Sequence, residues 1–489
     1  MSEKKRVLIV SDSCTRNTGY GIVSRNIIKN LIATDKYIIG QLGLAGTPTP
    51  PQFPIYHYSQ IRNHKNCCGK NNCIELHNPF TQKIEYIELD VFTKNHPDQK
   101  ICSRGEPSPD DKYGYNSIYY IVNHFQPDIV IPINDIWGLY NIAHLKNRKH
   151  FKLLSYLAID SECMFPVIKS PDKYLPNIQP NVVLESMDKT VFFLPWAKNV
   201  VNKTIKLITK TELSNTEIIP HGVDREIWKP LSNKNTLREK YFGIKPNSNV
   251  FLIGSLHRNQ PRKRLDSIIQ TLKIFINKYE KTSKVMCYFH CSLGDPMGWN
   301  LPWLADYYGV KDRCIFDKNI KPGQGPDDTT LNEIINCFDV HLSLTNSEGW
   351  ALTILETMSA GIPNICSNYS AHAQWGKEAI IPVKIASYEH ESRTGFLKAN
   401  VDIEDAAKQL KLVYESKEFR NDYIQKGIKL ASKLEWKDVC KKWINLIDET
   451  NITDLKPDRY IKYNIDPKNI PIKNIPENPT EQEFELLEL

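Results

Sequence analysis

An α/β architecture with two consecutive, doubly wound parallel-sheet domains is predicted by three features of the sequence. Short apolar strands alternate with helical stretches in two separate series, and a join bearing Pro and Gly divides them. The 489 residues leave room for two to four domains of about 150 each. In the first series residues 6–10 read as a strand, 22–32 as a helix, and 128–133, 152–159 and 191–194 as strands. Between Gly43 and Asp110 the pattern breaks. Four prolines from Pro48 to Pro54 and a run of Cys and His mark an insertion with room for a short antiparallel ribbon. The second series begins after Lys245 with a strand over 249–254, a helix over 265–278, then strands over 285–290 and 340–344 and one around Ile365. The join, 219–246, contains Pro220, Gly222 and Pro230. An amphipathic helix over 436–447 follows, and beyond Asn451 five prolines and an acidic end predict an extended or disordered tail. The expected organisation is a Rossmann-like domain over 1–219 carrying the 43–110 insertion, a linker over 220–247, a second Rossmann-like domain over 248–432, a helix over 433–450 and a tail over 451–489.

Composition narrows the function classes. Apolar residues make up 41% and charged residues 24%, which excludes a wholly disordered chain. The net charge of +7 is spread along the chain rather than gathered into blocks. It suits an anionic small ligand as well as it suits a nucleic acid and decides nothing by itself; the motifs below lead to the expectation of no nucleic-acid partner. No apolar run approaches the roughly 20 residues that span a bilayer. The basic start is followed by only four apolar residues, Val7 to Val10, before Ser11 and Asp12, the pattern of a first strand and not of a signal peptide. A cytoplasmic location is therefore expected, with the twelve cysteines as thiols, many in apolar contexts such as Cys287, Cys314 and Cys337. His64, Cys67, Cys68, Cys73 and His77 bring five zinc-ligand types into fourteen residues, but the spacing fits no common finger, and a surface insertion is the preferred reading.

The most informative stretch is 342–375, LSLTNSEGWALTILETMSAGIPNICSNYSAHAQW. A strand ends near Leu344, a polar turn carries Glu348 and Gly349, and a helix runs from about Ala351 to Ala360, closed by Gly361 and Pro363. In a doubly wound sheet, ligands bind beyond the carboxyl ends of the strands, where free amides at a helix start hold an anion. Glu348 then lies in the turn and Glu356 along the helix. A carboxylate accepts two hydrogen bonds side by side, which suits the vicinal hydroxyls of a ribose or hexose.

This E-x7-E arrangement resembles the donor-site motif of retaining nucleotide-sugar glycosyltransferases of the GT-B type, the family 4-like or group 1 enzymes. The segment 254–266, GSLHRNQPRKRLD, is similar to the family's stretch after the first strand of the C-terminal domain, where an Arg and a Lys bind the donor diphosphate; Arg258 and Lys263 are the matching residues, with Arg262 or Arg264 able to share the Arg's role. The stretches 219–230, IPHGVDREIWKP, and 294–301, GDPMGWNL, match as well, and 434–447, with Trp436 and Trp443, resembles the C-terminal helix that crosses back onto the first domain. The match is weaker in the N-terminal half. There the family's glycine-bearing first loop has Thr18 to Gly21 as its counterpart, and Asp160 stands near the place where the family often carries a His.

The resemblance implies two Rossmann-like domains facing across a cleft. It implies transfer of a hexosyl unit from a nucleotide-diphosphate sugar to a hydroxyl of a glycan, lipid or protein, with retention of configuration. Arg258 and Lys263 would neutralise the leaving diphosphate, Glu356 would hold the ribose and Glu348 the sugar. The amides from Gly349, Trp350, Ala351, Leu352 and Thr353, with Gly19 and Gly21 from the first loop, would complete the donor site, and Asp160 would act toward the acceptor. No metal or other cofactor is implied, since basic residues meet the diphosphate and no DxD motif is present. Contact with a membrane surface is compatible with this reading; a span is not.

Each sharp reading has a plainer rival. Glu348 and Glu356 could be solvent-facing helix acids, the basic segment a solvated face, Gly19 and Gly21 a simple turn, and Trp436 and Trp443 core. A glycoside hydrolase is disfavoured: eight residues of helix rise about 12 Å at 1.5 Å each, too far for two carboxylates flanking one bond. A nicotinamide enzyme is disfavoured because Ser24 stands where the dinucleotide fingerprint wants Gly or Ala. The alternative that survives is a catalytically inactive GT-B protein that binds a nucleotide sugar.

Overall fold

The computed structural model describes residues 4–44, 51–60, 62–64, 70–88, 114, 117–145, 148–169, 177–280, 284–321 and 325–455. Contacts divide it into two units, one comprising the chain to Asn134, Gly138–Ser155 and the residues from Ile447 on, the other Asp135–Trp137 and Tyr156–Leu446.

In the first unit β1 (Lys5–Asp12) is followed by α1 (Gly19–Ile32) and β2 (Tyr37–Leu44). Val7 to Val10 are at most 1% exposed, as expected of a parallel strand covered on both faces. Thr18 caps α1: its Oγ1 accepts from the Gly21 amide at 3.1 Å and donates to Asp12 Oδ2 at 2.6 Å. The insertion contributes β3 (Tyr56–Tyr58), β4 (Arg62–His64), β5 (Lys70–His77) and β6 (Ile84–Glu88). β3 continues the sheet in parallel beside β2, and β4, β5 and β6 pair antiparallel, the ribbon the prolines and breakers imply. After α2 (Ser117–Phe125), β7 (Ile129–Asn134) lies parallel to β1 on its other side.

The second unit holds β8 (Lys189–Phe192), paired in parallel with β9 (Thr216–Ile218), and then a second sheet. That sheet is built from β10 (Val250–Leu256), α3 (Leu265–Lys278), β11 (Lys284–His290), β12 (Cys314–Phe316), β13 (Val340–Ser343), α4 (Leu352–Ser359), β14 (Asn364–Ser367) and β15 (Ile380–Val383). Its strand order is β12-β11-β10-β13-β14-β15, all parallel. Strand order reverses between β10 and β13. The loops that leave those two strands therefore flank a topological switch point, where doubly wound sheets place their ligands. Gly254 allows close approach there, since a Cβ on it would lie 2.2 Å from the Phe338 ring. An antiparallel hairpin, β16 (Ile385–His390) and β17 (Leu397–Val401), follows the sheet. The chain then runs through α5 (Ile403–Glu415) and α6 (Lys417–Ala431) to α7 (Trp436–Glu449), whose last residues belong to the first unit. Trp436 and Trp443 are 4% and 0% exposed, so both are core residues. The tail beyond Leu455 lies outside the described residues.

Candidate active site

Two loops at the switch point build the site. After β10 the chain makes a 3-10 turn, Pro261–Lys263, and Arg264 then takes a left-handed conformation, φ 50°, at the start of α3. Arg264 is held in that uncommon backbone by a bidentate pairing with Asp266, at 3.1 and 2.9 Å, and by Asn400. The turn is docked on the second loop through its backbone: the Arg262 carbonyl accepts from Asn346 N at 2.9 Å and from Thr345 Oγ1 at 3.1 Å.

This docking brings Lys263 and Glu348 together. Lys263 Nζ donates to Glu348 Oε1, and Arg262 Nη1 donates to Oε2 at 3.2 Å and to the Ser347 carbonyl at 3.1 Å. Ser370 Oγ accepts from the Glu348 amide at 2.9 Å. The Glu348 side chain is 8% exposed and that of Lys263 13%, so the pair is buried. Burial pushes the Glu348 carboxyl up, but the charges of Lys263 and Arg262 outweigh it and hold the group well below the usual carboxylate range. Burial, with Arg262 beside it, brings Lys263 down to about 8 although Glu348 opposes the shift. Beside them His257, 8% exposed, has an Nε2 with no hydrogen-bond partner among the described residues; burial and the neighbouring Lys263 keep its imidazole neutral.

Next to Glu348 the chain turns into α4. Ala351 precedes the helix with φ 74°, a conformation that costs a non-glycine residue roughly 1–2 kcal/mol. Trp350 and Trp375 stack at 5.1 Å with 16° between their planes, and Trp375 Nε1 donates to the Trp350 carbonyl at 2.8 Å, which pins the turn. Among the described residues the amides of Gly349, Trp350, Ala351, Leu352 and Thr353 donate to no protein acceptor. They form a cluster of donors at the positive end of a helix dipole. Glu356 is a buried residue of that helix, 6% exposed.

Asp160 reaches the same region. Lys398, on β17, ties it to Ser347, with Nζ 3.4 Å from Asp160 Oδ1 and 2.9 Å from Ser347 Oγ. Arg258 stands apart from Glu348: its Nε donates to the buried Asp295 at 2.5 Å and its side chain is 60% exposed. The Arg beside Lys263 is thus Arg262, one of the two named as able to share the role. Gly19 and Gly21 open α1 in the first unit. Of the Cys/His run, Cys67 and Cys68 lie outside the described residues, Cys73 and His77 are buried, and no metal-binding group of three ligands occurs among the described residues. The residues that sequence reasoning missed are Lys398, His257 and Ser370. Only His257 had a local signal, as a polar residue directly after β10.

Comparisons with known proteins bear on the fold and the family. Residues 238–430 match the family described as glycosyl transferases group 1. The UDP-Gal:alpha-D-GlcNAc-diphosphoundecaprenol alpha-1,3-galactosyltransferase of Escherichia coli is 30% identical over 161 residues, 32% of this chain and 37% of that protein. The chain thus spans little more than a third of that relative. Among solved structures, Anabaena HepE in complex with UDP and glucose superposes with a TM-score of 0.59 at 11% identity, covering 91% of this chain and all of that one. Sucrose-phosphate synthase from Thermosynechococcus elongatus gives 0.62 at 12%, covering 91% and 99%. WaaG, a glycosyltransferase of lipopolysaccharide biosynthesis, gives 0.56 at 13%, covering 91% and 100%. The fold is GT-B, and residues 238–430 resemble the group 1 glycosyltransferases, as the motifs of the sequence imply.

Proposed function

We propose that this protein is a retaining glycosyltransferase that moves a hexosyl group from a nucleotide-diphosphate sugar to a hydroxyl of a glycan, lipid or protein. The observation that carries the reading is the cluster of Lys263 and Arg262 on the buried Glu348 carboxylate, set at the switch point beside the unpartnered amides that open α4. Two cations and a helix start are a fitting counter-charge for a diphosphate, and no divalent cation is needed in such an arrangement. A diphosphate reaching Lys263 competes with Glu348 for the same Nζ, so donor binding loosens the carboxylate and lets it accept from sugar hydroxyls. Glu356 holds the ribose, and Arg258 adds charge at the rim. In the transfer step the bond from the anomeric carbon to the phosphate oxygen breaks and a bond to the acceptor oxygen forms. The acceptor's proton passes to the leaving phosphate, and Asp160 orients the acceptor hydroxyl. Retention is supported by the E-x7-E arrangement, and the hexose by that arrangement together with the similarity to a galactosyltransferase.

The test is turnover of a donor panel, UDP-galactose, UDP-glucose, UDP-N-acetylglucosamine and GDP-mannose, followed by mass spectrometry. The reading expects one donor to be consumed, with the product anomer matching the donor's by NMR. Binding of a nucleotide sugar without any turnover would instead select the inactive sugar-binding alternative.

A further inference from the structure

Lys398 is placed more firmly than an incidental surface lysine. Its two neighbours on β17 are both tied down: Leu397 N donates to the Glu162 carbonyl at 2.8 Å, and Ala399 N donates to the Asn346 carbonyl at 3.1 Å. Tyr369 Oη accepts from Glu162 N at 3.1 Å and donates to the Leu397 carbonyl at 2.5 Å, closing the same junction from a third side. The Lys398 side chain is 14% exposed, and its Nζ lies 2.9 Å from Ser347 Oγ, 3.1 Å from Ser161 Oγ, and 3.4 and 3.5 Å from the two Asp160 oxygens. Three N–H groups serve four oxygens, so the two long contacts to Asp160 are shared and leave that carboxylate with lone pairs to spare. Asp160 is 26% exposed, more than the lysine behind it. A largely covered ammonium thus backs a carboxylate whose open side is still available to a hydroxyl donor.

We propose that Lys398 is a positioning residue of the transfer step, fixing Asp160 against the Ser347–Glu348 turn so that the two carboxylates act on acceptor and sugar in one array. The inference rests on the glycosyltransferase reading but adds a residue and a role to it. It separates two tasks: Lys263 and Arg262 meet the diphosphate, whereas Lys398 works through Asp160 and leaves nucleotide binding alone.

The experiment pairs calorimetric titration of UDP, GDP and ADP with sugar release from the preferred donor in the full chain. Lys398→Met is expected to change the nucleotide Kd by less than twofold and to lower kcat about 10- to 100-fold, the scale of one charge-assisted hydrogen bond. Lys398→Arg keeps the charge and should recover most of that loss. In the double variant Lys398→Met with Asp160→Asn, kcat should fall no further than in the worse single variant, because both act through one group. Should Lys398→Met fold poorly, Lys398→Gln with kcat counted per folded molecule answers the same question. A nucleotide Kd that weakens in step with kcat, or losses that multiply in the double variant, would overturn the proposal while leaving the glycosyltransferase reading intact. A wild-type chain that binds no nucleotide and consumes no donor overturns both, and that result is visible before any variant is made.

Discussion

Lys263 and Glu348, 85 residues apart in sequence, share one buried ion pair across the point where the strand order of the second sheet reverses. Each comes from a loop leaving one of two adjacent strands, β10 and β13, so the pairing is a direct product of the topology. Its energetics and its chemistry can be separated by mutation.

Breaking a buried ion pair from one side costs about 3–5 kcal/mol, because the remaining charge is left uncompensated. Arg262 still serves Glu348 when Lys263 is lost, so the lower end of that range is expected for Lys263→Met. Glu348→Gln strands Lys263, whereas Arg262, 38% exposed, keeps solvent and the Ser347 carbonyl, so the cost should be similar. The double variant should lose less than the sum of the two, while all three lose at least about tenfold in donor turnover. Urea denaturation of the four proteins checks this; strictly additive losses would mean that the pair is not coupled.

The pH dependence has a defined sign. With Lys263 at about 8, raising the pH through that value removes the ammonium proposed to meet the phosphate, and nucleotide diphosphate affinity should fall. Stability responds oppositely to this group: between about 8 and the ordinary 10.5 the unfolded chain binds more protons, so the Lys263 contribution becomes more favourable as pH rises. Glu348, depressed when folded, contributes stability above the ordinary carboxylate range and loses it on acidification below that range. Titrations of affinity from pH 6.5 to 9.5 should show the alkaline limb in the wild type and its absence in Lys263→Arg, whose guanidinium stays charged.

Much of this site was legible locally. The helix over 265–278 and the strand–turn–helix carrying Glu348 have short-range signatures, an amphipathic repeat in one and a polar turn with a Gly-Pro stop in the other. What the sequence left undecided depends on distant contacts. Arg258, Arg262 and Arg264 look interchangeable on paper; the 3-10 turn at Pro261 and the left-handed Arg264 decide that Arg262 faces Glu348. Lys398 lies 238 residues from Asp160 on a hairpin whose first strand is largely exposed, with no periodicity to reveal it. β2 escaped notice because Gly40 and Gly43 interrupt its β-branched run. Gly40 is there to admit Phe125, whose ring would lie 2.9 Å from an added Cβ.

The two glycines of the first loop should behave differently. A Cβ on Gly21 would lie 2.5 Å from the Arg16 carbonyl and 2.8 Å from that of Ser13, both backbone atoms, whereas nothing lies within 4 Å of one on Gly19. Gly21→Ala should therefore cost about 1–3 kcal/mol by overpacking. Gly19→Ala should fold like the wild type, within about 0.5 kcal/mol, as substitutions at unencumbered sites do. Thermal denaturation separates the two, and donor KM in Gly19→Ala then tests whether that position contacts ligand.

Chelation tests the proposed independence from metals. Donor turnover should survive EDTA if, as proposed, Lys263, Arg262 and the α4 amides supply the counter-charge. A turnover lost in EDTA and restored by Mn²⁺ or Mg²⁺ would move the diphosphate contact to a cation. A melting temperature lowered by EDTA with turnover intact would instead point to the Cys67, Cys68 and Cys73 run.

Binding of the donor diphosphate by Lys263 is tested by the nucleoside diphosphate Kd, measured by titration calorimetry at pH 7 in the wild type and in Lys263→Ala. Loss of one charge-assisted contact predicts a Kd about 10- to 100-fold weaker in the variant, with the fold verified by circular dichroism. An unchanged Kd in a folded Lys263→Ala chain would contradict the assignment and place the diphosphate elsewhere.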